Sequence, residues 1–99
     1  VARPAASTDV FRAVADPTRR AIIDLLARGD RSAGSLAQAF DLCQSTVSEH
    51  LAVLRRVGLV GFEESGGRRI YRLQAEPLRE IVAWAGPVIR TIGRVPSTD

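Results

Sequence analysis

Only three residues, Asp41, Leu42 and Cys43, separate two stretches with helical periodicity, Ala33 to Phe40 and Gln44 to about Val57, and this short gap constrains the fold more than any other feature. A connection of about three or four residues holds two helices in contact at a steep angle, the arrangement of a helix-turn-helix. The first stretch turns Leu36, Ala37 and Phe40 inward, and the second carries Val47, Leu51 and Leu54 at i, i+4 and i+7, so each has one apolar side to offer the other. Ala37 is small enough for close approach, and Leu42 and Val47 are predicted to fill the wedge between the helices. Asp41 falls where such a turn needs a left-handed residue, a conformation that Asp tolerates better than most side chains. Ser32 and Gly58 punctuate the pair as start and stop signals. The same pattern also fits an ordinary helical hairpin within a core, so its neighbours in the chain decide.

Before the pair, Thr8 to Ala15 places Phe11 and Val14 on one side of a short amphipathic helix that stops at Asp16-Pro17, because Pro disfavours helical geometry in the residue before it. Asp16 can cap a second helix with Pro17 at its first position; Ile22, Ile23, Leu25 and Leu26 form its buried side, and Gly29 ends it at about Arg28. After the pair, Leu59 to Glu64 and Arg68 to Leu73 are β-rich runs around Ser65-Gly66-Gly67, which reads as a hairpin. Pro77 opens a last helix with an apolar stripe of Leu78, Ile81, Val82, Ala85, Ile89 and Ile92, and Gly86-Pro87 predicts a bend or break in it. The reading is α+β, mostly α: a winged helix-turn-helix with a two-stranded β-wing. One domain spans 1–99, ordered over about 8–92, with flexible ends at Val1–Ser7 and Arg94–Asp99.

Ninety-nine residues provide one core and no second domain. No apolar run approaches the roughly 20 residues of a membrane span. Val1 to Thr8 lacks the blocks of a signal peptide, so a cytoplasmic location is expected. The single cysteine, Cys43, allows neither an internal disulfide nor a thiolate cluster for a structural metal. A catalytic constellation is also missing: Ser45 and Ser48 have no paired base, no phosphate loop occurs, and His50 is the only histidine, so no enzyme is expected. All fourteen cations are Arg, and the net charge of +3 arises C-terminally, where Arg55 to Asp99 holds eight Arg against five acids. A codon bias toward Arg and Ala is the favoured cause of that composition, which by itself does not show nucleic-acid binding. Placement carries more information than number.

The outward residues of the helix after the turn are Gln44, Ser45, Ser48 and Glu49, followed by Arg55 and Arg56, and Thr46 beside them is a further candidate for DNA contact. Gln pairs bidentately with adenine, Ser serves as donor or acceptor, Glu accepts from the cytosine amino group, and late arginines reach phosphates. His50 sits at the edge of the buried stripe and reads as a structural residue or a phosphate contact. A solvated polar face would have the same composition. What favours DNA is the hairpin that follows directly, whose Gly66-Gly67-Arg68-Arg69 tip suits a wing lying against phosphate and minor groove.

From Phe11 to Trp84, about three-quarters of the chain, the sequence resembles the ArsR/SmtB family of winged-helix repressors. The residues that carry the resemblance are Ala15-Asp16-Pro17-Thr18-Arg19-Arg20, the run from Gln44 to Arg55, Gly58-Leu59-Val60, and Gly67-Arg68-Arg69-Ile70-Tyr71-Arg72-Leu73. The resemblance implies double-stranded DNA as partner, homodimerisation through the first and last helices, and repression released by an inducer, which the sequence does not identify. Phe11, Val14, Ile81, Val82, Ile89 and Ile92 are the expected dimer residues. Metal-sensing members carry cysteines where this chain has Ser32 and Gly34, or His and carboxylate pairs on the last helix, where Pro77 to Ile92 has no His; Glu76 and Glu80 read as a helix-start pair. The chain is therefore similar to the metal-independent branch, with Trp84 in the last helix, and neither metal nor cofactor is expected. Cys43 stands where relatives place a Ser cap, which weakens that cap and leaves either a small partly buried residue or a reactive thiol. The expected function is a sequence-specific repressor on a palindromic operator. The reading from another class is a winged helix that serves only protein interaction.

Overall fold

Asp16 and the two arginines after it organise the N-terminal part of the computed structural model, which describes residues 10–94. A short helix α1 (10–13) gives way to α2 (Pro17–Leu26). Asp16 is extended, at φ −83° and ψ 126°, and its carboxylate accepts from the Arg19 backbone N–H at 3.0 Å while Pro17 needs no acceptor. Arg19 then reaches backwards, donating from Nε to Ala13 O at 2.7 Å and from Nη2 to Arg12 O at 3.3 Å. Arg20 does the same, from Nη1 to Val14 O at 2.8 Å and Ala15 O at 3.2 Å. Helix ends leave carbonyls without intrahelical partners, so this one motif starts α2 and satisfies the end of α1. The Arg19 N–H bond, aided by the Arg19 charge, holds the Asp16 carboxyl below its usual value of 3.8. A depressed carboxyl stabilises the fold above its unfolded pKa, and that contribution fades as pH falls through the folded value.

Next come β1 (Arg31–Ser32), α3 (Ala33–Phe40) and α4 (Gln44–Arg56). Ser32 caps α3 as the sequence predicts, its hydroxyl accepting from Ser35 N at 3.1 Å. Asp41 is left-handed, at φ 55° and ψ 48°, again as predicted. Its N–H bonds to Gln38 O at 3.3 Å and that of Leu42 to Ala37 O at 3.0 Å, the two bonds of a Schellman closure. The same closure ends α4, with Gly58 at φ 82°, Gly58 N bonded to Arg55 O and Leu59 N to Leu54 O. β2 (Val60–Ser65) and β3 (Arg68–Leu73) pair antiparallel across Gly66 and Gly67, whose positive φ values of 58° and 80° fit a type I′ hairpin turn. α5 (Leu78–Arg94) follows.

The core gathers Ala13 from α1, Ile22 and Leu26 from α2, Leu36 and Ala37 from α3, Val47, Leu51 and Leu54 from α4, and Leu59, Val60 and Tyr71 around the hairpin. Each large aliphatic side chain buried there contributes about 1.5–3 kcal/mol. The chain is mostly α with a small antiparallel sheet.

Several expectations need correction. The sheet has three strands, in the order β1-β3-β2, because Arg31 and Ser32 pair with Tyr71 and Ile70. α2 ends at Leu26 and not at about Arg28, since Arg28 N and Gly29 N bond three residues back and tighten the last turn. Leu42 does not fill the wedge: it is 36% exposed, its N–H directed to Ala37, and Val47 and Leu36 do the filling. The break predicted at Gly86-Pro87 is absent, for α5 continues through it: the carbonyl that Pro87 leaves without a donor belongs to Ala83, on an exposed face where water can replace it. The predicted start of the first helix at Thr8 and the flexible ends lie outside the described residues, apart from Arg94, which closes α5.

The left-handed turn makes a direct prediction. Asp41→Gly should unfold in urea at the same concentration as the parent protein or higher, and Asp41→Val should lose about 1 kcal/mol, because a β-branched side chain tolerates the left-handed region worse than Asp does.

Candidate nucleic-acid interface

The first turns of α4 stand clear of the core on one side, with Gln44, Ser45, Ser48 and Glu49 exposed and Thr46 half-buried. Gln44 and Ser48 are one turn apart, so they share a face, and Ser45 and Glu49 share the adjoining one. Cys43 precedes them in extended geometry; it is exposed, not partly buried, and gives no side-chain cap. Gln44 leans toward the start of α3, its Oε1 lying 3.5 Å from where a Cβ on Gly34 would stand. Between α3, α4 and the wing lies a groove of about 480 Å³ lined by Ser32, Gln44, Ser48, Arg68, Arg69 and Tyr71. Four residues singled out in the sequence for DNA contact therefore meet along one depression.

Strand register divides the two wing arginines. Arg68 pairs with Ser65 and Arg69 with Glu64, and successive strand residues face opposite sides, so Arg68 shares a face with Ile70 and Arg72, and Arg69 with Tyr71. The Arg69 guanidinium lies 4.2 Å from the centroid of Phe62, with Nε 3.7 Å from Glu64 Oε2. Arg55, exposed in the last turn of α4, approaches the same ring at 4.6 Å. Arg72 pairs with Glu63 on the other face. Arg56 is exposed beside Arg55, and a separate depression brings it near Arg12 and Arg19.

His50 is half-buried, and its Nδ1 lies 3.3 Å from Arg19 Nη1. Guanidinium only donates, so Nδ1 must be the unprotonated acceptor. His50 is thus tied to the same arginine that satisfies the end of α1, a long-range bond no local pattern reveals. Phe62 also escaped the sequence reading, as did the bond from Arg31 Nη1 to Ser35 Oγ at 3.1 Å that holds β1 to α3.

Between α1 and α5, Phe11 meets Trp84 edge to face at 5.7 Å. Val14 and Ile81 are half-buried, with Val14 packed on the core, while Val82, Ile89 and Ile92 are 67–69% exposed. Trp84 and Val88 extend this exposed apolar face. Among the described residues no helix is long and apolar enough to cross a membrane, and no three His, Cys, Asp or Glu side chains group as metal ligands.

A helix pair closed by a left-handed turn, with a β-hairpin directly behind its second helix, defines a winged helix-turn-helix DNA-binding protein. Residues 16–61 match the family described as bacterial regulatory protein, arsR family. Over 76 residues the chain is 36% identical to the transcriptional repressor SdpR of Bacillus subtilis, covering 77% of this chain and 84% of that one. An ArsR-like transcriptional regulator from Rhodococcus sp. RHA1 superposes with a TM-score of 0.80 at 30% identity, covering 91% of this chain and 83% of its own. The homodimeric winged helix-turn-helix DNA-binding domain of a possible ArsR-family regulator from Mycobacterium bovis does so at 0.70 and 29%, covering 95% and 87%. The chain belongs to the arsR family of bacterial regulatory proteins and is a DNA-binding transcriptional regulator.

The Arg19 bond gives His50 a testable structural part. His50→Leu should lower the free energy of unfolding by about 1 kcal/mol, read from a urea transition, and His50→Gln, whose amide oxygen can accept in its place, should recover part of the loss.

Proposed function

We propose that this chain is a repressor that binds a palindromic operator as a homodimer, acting in the cytoplasm without catalysis, metal or cofactor. The observation that carries the proposal is the convergence of Gln44, Ser48, Arg68 and Arg69 on one groove. Gln44 and Ser48 occupy the end of α4 that meets base edges in the major groove, with Ser45, Thr46 and Glu49 beside them. Arg55, Arg56, Arg68 and Arg69 supply cations for phosphates on either side, with His50 at the margin of that surface.

Dimerisation through α1 and α5 is supported by the exposed apolar side chains of α5, by the Phe11–Trp84 contact that joins the two helices, and by the homodimeric neighbour from Mycobacterium bovis. Two-fold symmetry then spaces two recognition helices about 34 Å apart, one turn of DNA, and makes the operator palindromic. Repression follows by occlusion of the promoter. Ser32 and Gly34 supply no thiolate at the place where metal-sensing relatives bind, which supports assignment to the metal-independent branch.

Sedimentation equilibrium should find two chains, and Ile89→Asp should give one, with weaker operator binding as a consequence. Gln44→Ala should cost about 1–3 kcal/mol on operator DNA selected from genomic fragments and little on random duplex, because a lost base contact is a loss of discrimination. Arg69→Ala should weaken both DNAs alike and reduce the salt slope by about one unit, since phosphate neutralisation releases counterions whatever the sequence. If Gln44→Ala bound operator normally while Arg69→Ala lost discrimination, the wing and not α4 would be the reader.

A further inference from the structure

We propose that Phe62 is a positioning residue of the DNA interface, whose ring holds Arg55 of α4 and Arg69 of β3 as a pair presented to the phosphate backbone. The inference rests on the placement of α4 and the wing against DNA. Phe62 pairs across the hairpin with Tyr71, so Arg69, two residues before Tyr71, is its diagonal neighbour on the same face of the sheet. The two guanidiniums lie 4.6 and 4.2 Å from the ring centroid. Phe62 is itself held, half-buried against the core and 5.5 Å from the buried Tyr71 ring. One short rigid side chain thus joins the last turn of the recognition helix to the wing.

The kind of contact matters as much as the position. Arg19 and Arg20 are held by carbonyl oxygens, and Arg72 and Arg79 by carboxylates. A carboxylate neutralises the cation it orders. An aromatic face attracts the cation without cancelling its charge, and without using the hydrogen bonds that a phosphate takes. Long arginine side chains lose rotamer freedom when they bind, and a ring that confines them beforehand removes part of that cost. Glu64, beside Arg69 on the same face, works against the arrangement, and a phosphate oxygen would have to displace it. The chemistry Phe62 serves is therefore an anionic backbone spanning both arginines, independent of base sequence.

The test uses the full chain and a random duplex of about three helical turns, titrated at several salt concentrations, with thermal unfolding of every variant as a control. Phe62→Leu keeps an apolar side chain of similar bulk and should bind about three- to tenfold more weakly, because two arginines no longer confined beforehand lose their rotamer freedom on binding. Its salt slope should stay unchanged, because both cations remain. Phe62→Tyr should bind like the parent. In an Arg55→Ala/Arg69→Ala background, Phe62→Leu should cost nothing further, a result that a general loss of folding would not produce. Undiminished binding by Phe62→Leu, equal losses in Phe62→Leu and Phe62→Tyr, or the same loss with both arginines already gone would each overturn the assignment. Undiminished binding by the double arginine variant is a different result, and it would remove the proposed DNA surface itself.

Discussion

The ends of α3 and α4 are closed by the same backbone device, and the direction in which α4 presents Gln44 and Ser48 depends on the first of these turns. At Asp41 and again at Gly58 a left-handed residue turns the chain, and two backbone bonds close each α-helix behind it. Gly58 adopts this conformation without steric cost, whereas Asp41 bears a share of the roughly 1–2 kcal/mol that a side chain pays there. The residue after each turn has a different fate. Leu59 is fully buried and draws β2 onto the core, while Leu42 stays partly exposed, so the first closure sets an angle and the second anchors a sheet.

Signals that act within a few residues were the ones the sequence disclosed. The caps at Asp16 and Ser32, the left-handed Asp41 and the i, i+4, i+7 row of Val47, Leu51 and Leu54 each have a short-range cause, and each is found in the structure. What stayed hidden depends on residues far apart in the chain. β1 has two residues, too few to alternate visibly, and exists because β3 offers it an edge. The Arg19–His50 bond spans 31 positions. Phe62 looked like one more apolar strand residue until the register set Arg69 diagonally across from it and folding brought Arg55 to its ring. Pro87 misled for the converse reason: it is a strong local breaker, but on an exposed helix face the carbonyl it strands is not buried.

The arginines illustrate why charge counting says little here. Arg19 and Arg20 point back to close α1, Arg31 ties β1 to α3, and Arg72 and Arg79 are in exposed ion pairs worth little for stability. Their common composition conceals separate tasks. The cations proposed above to meet an anionic partner are those at the groove and at the Phe62 ring, where no buried counter-charge faces them. Glu63 and Glu64 stand close by, and the field there is correspondingly mixed. Such a surface favours an oriented backbone over indiscriminate attraction to any polyanion.

None of residues 78–93 is buried within the chain, although α5 presents Val82, Trp84, Ile89 and Ile92 on its surface. In proteins most helical stability comes from packing an apolar face, and Gly86 and Pro87 lower the intrinsic stability of this helix. The second copy proposed above would supply that packing, so dimer formation and the order of α5 would be one process. Phe11 carries the connection from Trp84 into α1. From there Arg19 holds the Arg12 and Ala13 carbonyls with one side of its guanidinium and His50 of α4 with another. A displacement of α1 against α2 therefore strains a bond to α4, and Arg19 is one link, beside the core packing of Ala13, between the proposed dimer face and the helix proposed to face DNA.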